Sequence, residues 1–211
     1  MSRFMAALYD PFMRKTEVAC LRAWREALLS DLAGDVVEVG AGTGANLSHY
    51  PSTLRSLTLC EPDPAMRARL SIALETQRSS APDRAVTVID APAERLPLAS
   101  ESVDAVVCTL VLCSVRDPRA ALDEMRRVLH PGGKLHFIEH VAARDNPARL
   151  RWQHRVEPLW RVVADGCHVT RDTAKTIREA GFEVADERSE SMRQALPWVR
   201  PSVRGVAVKP A

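Results

Sequence analysis

The chain has 211 residues, of which 46% are hydrophobic and 5% aromatic, and its formal net charge is +2. This length fits one domain around a single aliphatic core, and the balanced charge excludes the basic surface of a dedicated nucleic-acid binder. No apolar run is long enough to cross a bilayer, so we expect no stable membrane anchor; weak membrane contact through residues 4–13 is the alternative to ordinary packing. Five cysteines without CxxC spacing indicate reduced, buried thiols and a cytoplasmic protein.

Short apolar runs alternate with helical patterns along the chain, which is typical of strand–helix–strand units around a parallel sheet. Residues 17–32 carry apolar side chains at helical spacing, so residues 1–33 are predicted to form an N-terminal lid or packed helix. Residues 34–211 are predicted to form the single domain. Its strands are predicted over 35–39, 57–60, 85–89, 103–112 and 134–140, and its helices near Ala45 and over 64–77, 118–129, 147–163 and 171–180.

The last two predicted strands, 182–187 and 203–208, follow each other without a helix between them. This change of pattern predicts an antiparallel hairpin at one edge of the sheet. The sequence as a whole therefore predicts an α/β, Rossmann-like fold. It has seven mostly parallel strands, an antiparallel C-terminal edge hairpin, and helices on both faces of the sheet.

A glycine-rich turn follows the first predicted strand in the segment VVEVGAGTGANL (36–47). Gly40, Gly42 and Gly44 permit backbone conformations and close ligand approach that other residues resist. The free N–H groups of the helix predicted near Ala45 would point at that ligand. The pattern also fits a dinucleotide site. Glu38 separates the two interpretations, because a buried carboxylate needs donors: the ammonium of an amino-acid ligand would supply one, whereas a pyrophosphate would be repelled.

Glu61 ends the second predicted strand, 21 residues past Gly40. A carboxylate at this place can accept both ribose hydroxyls of a nucleoside; the alternative is an acid at the start of the helix that begins at Pro64. The loop 90–98 is expected to pass over the base, with Ala93 and Glu94 contributing contacts. Two further residues each have two alternative roles. Asp90 bonds the adenine amino group or caps the loop, and Met66 packs on the base or in the core.

The second substrate, which would accept a group from the nucleoside-containing ligand, is expected beyond the carboxyl ends of the strands. His140 ends the fifth of these strands. His140 is the first candidate for a catalytic base and His168 the second, and for each the alternative is a structural histidine. Trp152, Leu159 and Trp160 recur at helical spacing and line an acceptor pocket or pack in the core. Cys108 and Cys113 are interpreted as packing residues, since no basic neighbour in sequence activates them. The spacing of His, Cys and acidic residues predicts no metal site.

Three motifs in order, GAGTG, AERLP and RVLHPGG, resemble those of class I S-adenosylmethionine-dependent methyltransferases, within the group that includes the ubiquinone/menaquinone C-methyltransferases. The segments 106–115, 137–143, 165–173 and 199–209 are similar to the animal methyltransferase-like proteins that methylate alkyl thiols. The resemblance implies a lipophilic thiol as a small-molecule acceptor. The alternatives are C- or N-methylation of a quinone precursor or phospholipid head group, a nicotinamide-dependent oxidoreductase, and a non-catalytic cofactor-binding partner protein.

The cofactor implied is S-adenosylmethionine. Residues and resemblance together indicate these contacts for it: Glu38, Gly40, Ala41, Gly42, Thr43, Gly44, Glu61, Pro62, Met66, Ala93, Glu94 and Thr109. Pro92 stands where many relatives have Asp or Asn, so a contact to the adenine amino group has to come from another residue.

Overall fold

The computed structural model describes residues 3–78 and 85–211. Their strands form one seven-stranded sheet in the order β3-β2-β1-β4-β5-β7-β6. The strands are β1 Gly34–Val39, β2 Leu54–Cys60, β3 Ala85–Ile89, β4 Val103–Thr109, β5 Leu129–His140, β6 Glu183–Ser191 and β7 Pro201–Val208. The first five strands pair in parallel, and β7 pairs antiparallel with both β5 and β6. The predicted fold class, including the edge hairpin, is confirmed.

Helices cover both faces of this sheet. They are α1 Arg3–Thr16, a π-helical turn Glu17–Leu21, α2 Arg22–Leu29, a short 3-10 helix Leu47–His49, α3 Pro64–Arg78, α4 Pro118–Val128, α5 Pro147–Val163 and α6 Thr173–Glu179. Successive strand residues point to opposite faces, so Val36 joins the core under α2 and α3 while Val37 joins the core under α4 and α6. Among the described residues, no helix combines the length and apolar character that crossing a bilayer requires.

The predicted helix near Ala45 is wrong. After the glycine turn the chain makes only turns and the 3-10 helix Leu47–His49, and Tyr50 is already extended at ψ 132°. The reason is Pro51, because a residue that precedes proline is pushed out of the helical region. A helix starting at Ala45 would therefore have too few residues before its end.

Other boundaries differ from the prediction for local reasons. β4 ends at Thr109 rather than at residue 112, because Leu110 takes a positive φ of 62°. β5 begins at Leu129 and includes Pro131 and the two following glycines, at a shift of register with β4. The N-terminal helical region starts before residue 17 and contains the π-helical turn. α6 starts at Thr173, where the Asp172 side chain accepts from the backbone N–H of Lys175.

Candidate cofactor and acceptor site

The glycine turn lies at the carboxyl end of β1, next to the ends of β2 and β4. Gly40, Gly42 and Gly44 all have positive φ, at 68°, 58° and 92°. A Cβ on Gly40 would lie 2.4 Å from Val111 Cγ2, whereas a Cβ on Gly42 would have no atom of the described residues within 4 Å. The turn is therefore pressed against the loop after β4 on one side and open at Gly42. An open backbone at this edge of the sheet fits a nucleoside-containing ligand.

Glu61 is fixed beside this opening. Its Oε2 accepts from the backbone N–H of Gly42 at 2.8 Å, and its Oε1 accepts from Asp63 at 2.9 Å. A carboxylate has about four acceptor positions, so each oxygen keeps a lone pair for a ribose hydroxyl. Burial raises the pKa of Glu61, and these two backbone donors oppose the rise. The cap of α3 is instead Asp63, which accepts from the N–H groups of Ala65 and Met66.

Glu38 is buried and already has protein donors. Asn46 Nδ2 donates to its Oε1 at 2.8 Å and the Tyr50 hydroxyl to its Oε2 at 2.7 Å. Both donors lie in the irregular segment that replaces the predicted helix. Burial raises the pKa of Glu38 to about 7. The burial of Glu38 therefore does not by itself require a ligand ammonium, although further lone pairs remain on the carboxylate.

A buried arginine extends this network to β4. Arg25 donates from Nη1 to Asn46 Oδ1 at 2.8 Å and to Thr109 Oγ1 at 2.9 Å, and it pairs with Glu17 at 3.0 Å. Sequence reasoning missed Arg25. The signal was present, because Arg25 lies four residues after Leu21 on the apolar face of the predicted helix, where a charged side chain needs partners.

The helix α1 contacts the glycine turn. The Thr43 hydroxyl donates to Asp10 Oδ1 at 2.6 Å, and Asp10 also lies 3.7 Å from Arg69 of α3. Thr43, a predicted cofactor contact, thus has a partner from the N-terminal segment. Burial raises the pKa of the neighbouring Tyr9 to about 12.

On the side of the site where the adenine base is expected, Ala93 and Met66 are buried. Glu94 turns to the loop after β4, where its Oε1 accepts from the backbone N–H groups of Arg116 at 3.0 Å and Asp117 at 3.2 Å. Asp90 forms an ion pair of 2.7 Å with Arg67. Glu94 therefore joins two loops that border the site, which is a contribution to its shape.

Glu139, at the end of β5, organises the loop after β4. Its side chain is 0% exposed. Oε1 accepts from the backbone N–H groups of Val111 and Leu112 at 2.9 Å each, and Oε2 accepts from Cys113 at 3.0 Å. These bonds satisfy three consecutive donors of a chain that has left the sheet, which explains why β4 ends before residue 112.

The two histidine candidates have different surroundings. His140 Nδ1 lies 3.5 Å from Cys167 Sγ and 3.7 Å from Cys113 Sγ. Burial acts to lower the pKa of His140, but the contact with Cys113 and the charge of Glu139 raise it above its ordinary value. His168 instead bonds Glu157 Oε1 of α5 at 3.0 Å, and burial lowers its pKa. The structure thus brings His140, and not the His168 side chain, to the cysteines.

The residues of α5 that were predicted to line an acceptor pocket or to pack in the core differ in exposure; they are Trp152, Leu159 and Trp160. Trp152 and Leu159 are 58% and 72% exposed, so they do not pack in the core. Trp160 is half-buried and packs edge-to-face on Trp198 at 5.8 Å between ring centres. The helical spacing was correct, but α5 turns this part of its apolar stripe to solvent.

Known proteins resemble this chain at the level of a family, of individual sequences and of solved structures. Residues 37–137 match the methyltransferase domain family. Human thiol S-methyltransferase TMT1B is 43% identical over 82% of this chain and 70% of its own length. A demethylmenaquinone methyltransferase of Paenarthrobacter aurescens is 29% identical over 74% of this chain and 55% of that protein. The [4+2]-cyclase SpnF superposes with a TM-score of 0.70 over 90% of this chain and 80% of its own, at 20% identity, which shows the fold alone.

The chain belongs to the class I S-adenosylmethionine-dependent methyltransferases, and within them to the family of thiol S-methyltransferase TMT1B. It is accordingly a methyltransferase and uses S-adenosylmethionine, so the predicted class and cofactor are confirmed and the oxidoreductase alternative is excluded.

Proposed function

We propose that this enzyme methylates the sulfur of small apolar alkyl thiols. The observation that carries the proposal is the 43% identity to a protein named for that reaction, against 29% for the quinone-precursor methyltransferase. S-adenosylmethionine supplies a methyl group that its sulfonium already activates. A thiol with a pKa of about 8.5 needs little help to become a nucleophile, so the protein mainly has to orient it and exclude water. Five free, buried cysteines support a reducing, cytoplasmic setting.

The acceptor assignment is tested by competition in one reaction. An alkyl thiol, a quinol and an amine are mixed with the enzyme and S-adenosylmethionine, and products are separated by mass. We expect the thioether to dominate. Product from the quinol or the amine without any thioether would disprove the assignment of a thiol as the acceptor and leave the enzyme class unchanged.

The cofactor contacts remain our proposal, with the open turn at Gly42 and the carboxylate of Glu61 as the main recognition elements and the N-terminal segment as a lid over them. The bond between Thr43 and Asp10 supports the lid, because it joins α1 to the turn. Glu38 and Thr109 complete the site through the Arg25 network.

Glu61→Ala is expected to weaken the binding of S-adenosylmethionine by about 1.5–3 kcal/mol, because hydrogen bonds to a charged acceptor contribute that much. Titration calorimetry measures the change. Asp63→Ala is the matched control: it removes the cap of α3 two residues away and is expected to lower stability while affinity stays near the parent value. A folded Glu61→Ala variant with parental affinity would disprove the ribose assignment.

The acceptor sulfur is proposed to lie against His140. If the protein supplies thiolate at neutral pH, His140→Ala has to rely on thiolate already present in solution. That fraction rises roughly 30-fold between pH 7 and pH 9.5 for a thiol pKa of about 8.5. We therefore expect the deficit in turnover to be largest at pH 7 and to shrink towards pH 9.5. His168→Ala, whose ring faces Glu157, serves as the control with a parental pH profile. An equal deficit at both pH values would make His140 structural.

A further inference from the structure

Two cysteines and a histidine converge at the acceptor side of the sheet. Cys113 comes from the loop after β4, His140 ends β5, and Cys167 precedes α6. The two sulfurs and a ring nitrogen all lie within 4.8 Å of one another. The three residues follow each other at intervals of 27 positions, so no local spacing reveals them in the sequence. They are 1%, 9% and 5% exposed.

The distances fit one tetrahedral metal ion. With Zn–S of about 2.3 Å and Zn–N of about 2.0–2.1 Å, a sulfur and a nitrogen ligand at the tetrahedral angle lie about 3.6 Å apart. His140 Nδ1 is 3.5 Å from one sulfur and 3.7 Å from the other. Two thiolates and an imidazole are ligands that zinc prefers. The two thiolates also neutralise the charge of the ion, which lowers the free-energy cost of burying it.

The surrounding bonds hold Cys113 in place. Its backbone N–H donates to Glu139 Oε2 at 3.0 Å, and its carbonyl accepts from the His168 N–H at 2.7 Å. Outer contacts of this kind orient metal ligands. Cys113 also lies two residues after Val111, the side chain against which Gly40 packs, so the cluster borders the glycine turn.

We propose that Cys113, His140 and Cys167 bind a zinc ion, and that the fourth position of this zinc takes the acceptor thiol. The second half of this inference rests on the proposed function. Three protein ligands leave one tetrahedral position for water or substrate, as in catalytic rather than structural zinc sites. His140 then contributes a ligand, and the metal, not the imidazole, makes the thiol proton acidic.

The ligand exchange balances without a change of oxidation state. When zinc binds, the two cysteine thiols release their protons to solvent. The acceptor thiol then displaces the zinc-bound water, and its S–H bond breaks, with the proton passing to solvent water and the electron pair staying on sulfur. The sulfur keeps lone pairs for attack on a methyl group. A thioether product is neutral and binds more weakly, so water replaces it.

Cobalt tests the site directly, because Co²⁺ occupies zinc sites and gives a thiolate charge-transfer absorption. Chelator-treated, reduced protein is titrated with Co²⁺. We expect one equivalent to bind with this absorption, and Cys113→Ser, Cys167→Ser and His140→Gln each to lose at least about tenfold in affinity. Cys20→Ala removes a buried thiol outside the cluster and is expected to keep parental affinity. Circular dichroism verifies folding; if Cys113→Ser unfolds, Cys167→Ser and His140→Gln carry the comparison.

Addition of an alkyl thiol to the cobalt-loaded protein is expected to intensify the absorption, whereas the corresponding thioether leaves it unchanged. Absence of stoichiometric binding, binding that survives the cluster substitutions, or a Cys113–Cys167 disulfide in the reduced preparation would overturn the metal site. Cobalt binding without a response to thiol would overturn its acceptor role. Full methylation by metal-free Cys167→Ser would overturn the role of the metal and support the proposed function. Cobalt and thiol binding without methylation would support the metal site and contradict the proposed function.

Discussion

Glu139→Ala is expected to lower the free energy of unfolding by at least about 3 kcal/mol. The substitution leaves the backbone N–H groups of Val111, Leu112 and Cys113 without their acceptor, and each unsatisfied buried donor costs about 1–3 kcal/mol. The same loop carries Cys113 to His140, so we also expect loss of methyl transfer. Urea unfolding followed by circular dichroism measures the first effect.

Glu139→Gln is the matched variant for this prediction. Its carbonyl oxygen can still accept from Val111 and Leu112, but its amide group presents a donor to the Cys113 N–H, so an intermediate loss is expected. If Glu139→Ala unfolds within about 0.5 kcal/mol of the parent, the range of ordinary surface substitutions, Glu139 does not hold the loop after β4.

We compare the free energy of unfolding of Glu38→Gln with that of the parent, both without cofactor. The difference is expected to shift in favour of the variant by up to about 3 kcal/mol as the pH rises from 5 to 8. Burial raises the pKa of Glu38 from its ordinary value near 4.5 to about 7. The folded state therefore favours the protonated carboxyl, and the stability that this contributes is full below pH 4.5 and is lost as the pH rises through about 7. Glutamine does not titrate, so the variant escapes that loss.

Urea unfolding of parent and variant at pH 5 and pH 8 gives the comparison, in which the titration of other buried carboxyls cancels. A difference between the two proteins that is the same at both pH values would contradict the raised pKa. If Glu38 also receives the cofactor ammonium, the variant binds S-adenosylmethionine more weakly, and stability and affinity move in opposite directions. A variant that gains stability and keeps parental affinity would show that Glu38 serves only the Asn46–Tyr50 network.

The sheet was predictable because its signals are local. The continuous apolar run of β4 and the glycine turn after β1 are each recognisable from a few consecutive residues. The pattern of two strands without a helix between them predicted the edge hairpin. The missing helix after the turn was also a local matter, since Pro51 is visible in the sequence and limits what can precede it.

The polar network and the acceptor side were not predictable in the same way. Arg25 meets Thr109 across 84 positions, and Cys113 meets His140 and Cys167 only because the ends of β4 and β5 are neighbours. Such contacts depend on the folded topology. The interpretation of Cys113 as a packing residue rested on its sequence neighbours, whereas its neighbour in space is an imidazole.

Transfer of a methyl group from S-adenosylmethionine to an alkyl thiol can be followed with an isotope label. Enzyme loaded with S-adenosylmethionine that carries a trideuterated methyl is mixed with an apolar alkyl thiol in a single turnover at pH 7, and products are identified by mass. We expect a deuterated thioether and an equal amount of S-adenosylhomocysteine, at a rate that falls sharply in Glu61→Ala when the cofactor is subsaturating. Bound cofactor that stays intact beside the thiol, or cofactor consumed without labelled thioether, would disprove methyl transfer to the thiol.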